Sequence, residues 1–171
     1  MAFNGLQSVV TAYFVVYLTT IGYTPVAAGF LFAVAVPGRI LWGWLGNSFV
    51  SPRVMMAGLA FGMAVSVALL ALCNAGWPTL LIGLIACVLS ATALSWHGIL
   101  LAETARAAPE DMRGSVTGGV LSFGQVGALS LPLMYSALLD TTGSYGIGFI
   151  VCGIPALWVG VLLLRIRKMK A

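Results

Sequence analysis

The sequence predicts an all-α membrane protein of six transmembrane helices, and two observations predict it. The first is composition: of 171 residues 61% are hydrophobic and 7% charged, and the mean hydropathy is +1.07, well outside the range of a soluble globular chain. The second is pattern. The apolar residues come in runs of roughly twenty, the length a helix needs to cross a hydrocarbon core of about 30 Å. A membrane-spanning barrel would need short segments alternating apolar and polar residues, and no such alternation occurs.

Gly, Pro and charge punctuate the runs into spans at 4–22, 27–46, 54–73, 79–101, 115–139 and 146–164. The connections between them are too short to hold a soluble domain, so residues 1–171 form one transmembrane domain. Met1 to Asn4 carries no basic segment and the following run is too long for a signal peptide, so the first span is expected to stay in the membrane. Cys73, Cys87 and Cys152 lie in or at the end of apolar runs without C-x-x-C spacing, and read as small packing residues.

Charge orients the spans. Arg39 and Arg53 flank the second connection, Arg106 and Arg113 lie in the fourth, and Arg165, Arg167, Lys168 and Lys170 form the tail. All eight basic residues thus fall on the side shared by the two termini. The positive-inside rule makes that side cytoplasmic, in a cell (cytoplasmic) membrane crossed several times. The same placement beside an anionic leaflet accounts for the pI of 9.3, and no nucleic-acid-binding motif accompanies it.

Polar residues inside spans mark faces that avoid lipid. In the first span Asn4, Gln7, Ser8 and Thr11 share one helical face, beside the pair Tyr13 and Tyr17. That face is either a hydrogen-bonded helix contact or a hydrated solute path. The fourth span carries Ser90, Thr92, Ser95, Trp96 and His97, with Glu103 near its end; His97 is the sole histidine, either a structural donor or a proton carrier. The fifth span presents Gly114, Gly118, Ser122 and Gln125 on one face, followed by Pro132, which can kink it. The third and sixth spans, with Gly58, Gly62, Gly146, Gly148, Gly153 and Pro155, have no strongly polar stripe and are expected to be peripheral supports in contact with lipid.

The second span ends Gly38-Arg39-Ile40-Leu41-Trp42-Gly43-Trp44-Leu45-Gly46-Asn47, with Arg53 opening the next helix. This resembles the Gly-Arg…Gly-x-x-x-Asp…Arg signature that major facilitator superfamily transporters carry between their eighth and ninth helices, with Asn47 where Asp is common. Ser95-Trp96-His97-Gly98, Ala102-Glu103, Arg106 and the run from Asp140 to Gly146 are similar to later helices of bacterial members. The resemblance covers nearly the whole chain and implies a C-terminal six-helix half, built of two inverted three-helix repeats, with solute held between two halves. The polar faces of the spans supply the solute-path candidates Gln7, Thr11, Tyr13, Tyr17, Ser95, Trp96, His97, Ser122 and Gln125, and the resemblance makes the first and fourth spans cavity-lining. Gating roles would fall to Gly38, Arg39, Gly43, Asn47, Arg53, Glu103 and Arg106, although Arg53 is equally explained as a topology signal.

The expected function is secondary-active transport of a small solute, with a coupling proton carried through His97 or Glu103. The partners would be the lipid bilayer and a second six-helix half, in frame, on a separate chain, or a second copy. The alternative is an inactive truncated fragment or structural subunit of a longer transporter, since Met1 falls at the very start of the first span. No enzyme is expected: the chain has no H-E-x-x-H or nucleophile constellation, and its four carboxylates lie at or beyond span ends. No metal site or cofactor is expected, because no second His or carboxylate lies at ligand spacing from His97 and no phosphate-binding loop occurs.

Overall fold

The computed structural model describes residues 1–48 and 51–168, and the side chains of 1–44 and 51–165. Among those residues the regular structure is all helical: α1 (Ala2–Thr20), α2 (Pro25–Ala33), α3 (Ala35–Ser48), α4 (Pro52–Leu72), α5 (Thr79–Ala93), α6 (Trp96–Ala107), α7 (Arg113–Thr142) and α8 (Tyr145–Lys168), with a short 3-10 turn at Glu110–Met112. α2 continues into α3 and α5 into α6 as rods broken in the middle, so the bundle has six rods.

Five of them are long and apolar enough to cross a membrane: Pro25–Trp44, Pro52–Leu72, Thr79–Ala107, Glu110–Thr142 and Tyr145–Arg165. The chain is therefore an all-α, multi-pass membrane protein. α1 is not among the five, because Asn4, Gln7, Ser8 and four threonines or tyrosines in its second half lower its hydropathy. It lies instead against α7, α2, α8 and α5, with Leu6, Val9, Val10, Phe14 and Leu18 fully buried.

The rods alternate in direction. At one end the Tyr17 hydroxyl donates to the carbonyls of Leu70 and Cys73 (2.9 and 3.0 Å), Tyr23 donates to Thr79 (2.6 Å), and Gly146 packs on Ala71. The α1–α2, α4–α5 and α7–α8 connections therefore meet there. At the other end Met1, Met56, Leu100, Gly119 and Leu163 line one pocket, which brings both ends of the chain to the side of the α3–α4 and α6–α7 connections.

Two seams hold the bundle. On α8, Gly146, Gly153 and Gly160 recur every seven residues and all face α4: an added Cβ would lie 2.6 Å from the Ala71 carbonyl oxygen, 2.8 Å from Val67 Cγ1 and 3.2 Å from Ala60 Cβ. A seven-residue repeat keeps one stripe turned to its neighbour along a gently supercoiled pair, and glycine lets the backbones close together. On the other seam, Gly5 of α1 meets Gly127 and Leu131 of α7, and Gly124 packs on Asn4.

These seams correct part of the sequence reading. α4, expected at the periphery, is one of the two most buried of the five apolar rods, with 56% of its most apolar stretch inside the bundle; for α2–α3 the figure is 17% and for α7 it is 11%. Phe30, Ile40, Trp44, Phe123, Leu129 and Leu133 are the exposed apolar surface of those latter rods. The fourth connection is also shorter than expected, since α6 runs on to Ala107 and carries Glu103 and Arg106 on a helix. α7 stays one helix through Pro132.

A candidate site between two broken spans

The first break follows from a proline. Pro37 has no N–H to offer the Ala33 carbonyl, and its ring crowds that position; α2 ends at Ala33, Val34 forms the turn, and α3 begins at Ala35. The second break has neither proline nor glycine. There Thr92 Oγ1 donates to the Val88 carbonyl (2.8 Å) and Ser95 Oγ to the Ala91 carbonyl, hydrogen bonds that compete with the backbone ladder and bend helices. α5 ends at Ala93, and α6 restarts at Trp96.

The two broken rods touch where they break. Gly38, one residue past Pro37, packs on Ala91 so tightly that an added Cβ would come 2.8 Å from the Ala91 Cα and Cβ. One residue further, Arg39 Nε donates to the Leu94 carbonyl at 2.8 Å. That carbonyl sits at the end of α5, where the last carbonyls of a helix lack intrahelical donors. In hydrocarbon such a group must find a partner within the protein, and Arg39 supplies it.

Beside this contact is a cavity of about 690 Å³, lined by residues that include Arg39, Gly43, Ser95, His97, Glu103 and Arg106. Arg106 and Glu103 form an ion pair of 2.7 Å on one face of α6, with side chains 65% and 41% exposed. An exposed pair of this kind adds little stability, but it neutralises both charges. Beyond Leu94, no other hydrogen bond or ion pair engages Arg39 among the described residues.

A short chain of side chains links α1 to the cavity wall. Gln7 Oε1 accepts from the buried Trp96 Nε1 at 2.9 Å, and the Trp96 ring stacks on His97 with centroids 3.8 Å apart. His97 is half-buried and lines the cavity. The expected residues thus fall into three groups. Gln7, Ser95, Trp96, His97, Gly38, Arg39, Gly43, Glu103 and Arg106 gather around the break in α5–α6.

A second group packs inside the bundle. Tyr13 stacks on Tyr135 with centroids 4.2 Å apart. Tyr17 is buried, and its hydroxyl donates to the carbonyls at the end of α4, which ties α1 to α4. The third group is exposed and does not line the cavity: Thr11 on α1, whose hydroxyl donates to the Gln7 carbonyl (2.9 Å), and Ser122 and Gln125 on α7. Arg53 is exposed in the first turn of α4. The side chain of Asn47 lies outside the described residues.

Leu94, Pro37 and Tyr135 were not legible as site residues. Pro37 carried a signal in its missing N–H; the spacing of Thr92 and Ser95, each able to bond back one turn, signalled the other break. Nothing local signals Leu94, whose part is played by its carbonyl. No family model and no curated protein matches this chain significantly.

Proposed function

We propose that the chain is a six-helix half of a major-facilitator-type transporter, which with a second six-helix unit moves a small solute by alternating access. The observation that carries the reading is the meeting of two interrupted spans at Gly38 and Ala91 beside a charged cavity. Interrupted backbone at membrane depth is stable only where protein or water satisfies it, and it marks solute sites in secondary transporters. In this reading α1 is a sixth crossing, shielded from lipid by its neighbours, and the end bearing both termini faces the cytoplasm because the basic residues cluster there.

The need for a second unit rests on polar residues left exposed. Gln125 has an amide that hydrocarbon cannot satisfy, and Ser122 and Thr11 share its exposure. A hydrated path enclosed between two units supplies water to all three. With no ATP-binding loop in the chain, an ion or solute gradient drives the cycle.

The test is cysteine accessibility in native membranes, with Cys73, Cys87 and Cys152 first replaced by alanine. Thr11→Cys and Gln125→Cys are expected to react with a membrane-impermeant maleimide applied from one side or the other. Leu133→Cys, on the exposed apolar surface of α7, is expected to stay unlabelled. If both polar-site cysteines are as inert as the Leu133 variant, no water reaches these faces and the transport reading fails.

A further inference from the structure

We infer that the cavity between α3 and α6 is a binding site for a small amphipathic monocarboxylate, held through the guanidinium of Arg39. The inference deepens the transport reading by naming the ligand class of its site, but the binding itself does not depend on transport.

The argument begins with charge. Three formally charged residues line the cavity, and two of them cancel: Arg106 is paired with Glu103 at 2.7 Å. Arg39 is the charge left over. Its Nε is held on the Leu94 carbonyl at 2.8 Å, while its two Nη groups have no hydrogen bond or ion pair among the described residues. A guanidinium fixed by one nitrogen loses little further freedom when its remaining donors are engaged, and its planar fork matches the two oxygens of a carboxylate. Among the described residues no acidic partner engages it. Near the end of an apolar rod that is a costly state for a cation, and a bound anion relieves it.

Glu103 narrows the class further. Because its charge is spent on Arg106, the cavity carries one net positive charge, which one carboxylate neutralises and which a dianion such as a phosphate ester or dicarboxylate overshoots. The rest of the wall includes Leu94, Ile99, Ala102 and Pro52, apolar groups suited to a hydrocarbon tail or ring. A volume of about 690 Å³ leaves ample room for such a tail beyond one carboxylate. Charge and lining together describe a monocarboxylate with an apolar body.

An anionic lipid headgroup would offer the same negative oxygens, so the test separates the two sources. The full chain in phosphatidylcholine nanodiscs is titrated calorimetrically with benzoate, with its neutral isostere benzamide, and with the dianion phthalate. Benzoate is expected to bind saturably and at least about tenfold more tightly than benzamide or phthalate, as a charge-assisted hydrogen bond implies. Arg39→Gln is expected to weaken benzoate by about tenfold or more, and Arg39→Lys by less, since charge without the fork is retained. Glu103→Gln is expected to strengthen phthalate more than benzoate, a readout that survives if the Arg39 variants do not fold.

Equal binding of benzoate and benzamide, or a Glu103→Gln variant in which phthalate gains no more than benzoate, overturns the assignment. So does loss of benzoate binding when the nanodiscs contain phosphatidylglycerol, which would make the occupant a lipid headgroup. Because binding is read at equilibrium, a chain that binds benzoate as described but leaves Thr11→Cys and Gln125→Cys inert fails only the transport reading.

Discussion

The α4–α8 seam and the α3–α5 contact are both helix pairs in the same bundle, and they are built on opposite plans. Along the seam, three glycines of α8 lie against Ala60, Val67 and Ala71, and the interface is closed from end to end. Between α3 and α5 Gly38 packs on Ala91 close to the two breaks, and beyond that contact a cavity opens between α3 and α6. The first pair spends its small residues on contact. The second uses one close contact to hold two interrupted backbones together and leaves polar groups facing space. Close backbone packing thus holds one pair along its length, while the other leaves polar groups around an open cavity.

The largest expected break in this comparison is Gly146→Val. Its added carbons meet the Ala71 carbonyl oxygen, a backbone atom that cannot turn aside. Overpacking of this kind costs about 1–3 kcal/mol and here should reach the upper end, seen as a lowered thermal midpoint in detergent and a smaller folded yield. Gln7→Leu comes next. It leaves the buried Trp96 Nε1 without its acceptor at 2.9 Å, a loss of about 1–2 kcal/mol that should appear as reduced stability together with a changed tryptophan fluorescence maximum.

Tyr17→Phe removes the hydroxyl that ties α1 to the end of α4. Hydrogen bonds between membrane helices average about 0.6 kcal/mol, so a fall of about 0.5–1.5 kcal/mol is expected, with no change in benzoate affinity. An equal loss of benzoate affinity would place Tyr17 on the solute path. Smallest of all is Gly58→Ala, where nothing lies within 4 Å of the added carbon. Its effect should stay within about 0.5 kcal/mol of zero, and could be stabilising through helix propensity. A large loss there would mean that α4 makes a contact the isolated chain does not show.

The polar stripe of α1 illustrates how far sequence reading reached. Its residues were correctly grouped on one helical face, but the structure sends them to different fates: Asn4 is buried beside Gly124, Gln7 accepts from Trp96, and Thr11 is exposed. A helical wheel gives the direction of a side chain from its own axis and says nothing of what stands opposite. Tyr13 and Tyr17 show the same limit, since one stacks on Tyr135 and the other anchors α4. The glycines of α8 were visible in the sequence as well, yet only their shared partner α4 gives their seven-residue spacing a meaning.

By itself the sequence determined the solvent and the class. Hydropathy and run length depend on composition over some twenty residues, and transfer from water to hydrocarbon acts on those residues whatever their neighbours are. The break before Pro37 was not among its results: the span at 27–46 was expected to be continuous, and a missing N–H does not by itself break a helix, since α7 and α8 run on through Pro132 and Pro155. Only the tertiary structure decided that Leu94, 55 residues from Arg39, offers the carbonyl that holds the guanidinium, and that α4, unlike α7, is among the most buried rods. Those outcomes depend on pairwise contacts between rods far apart in the chain, where short-range packing and hydrogen-bond geometry select among faces that hydropathy ranks as equal.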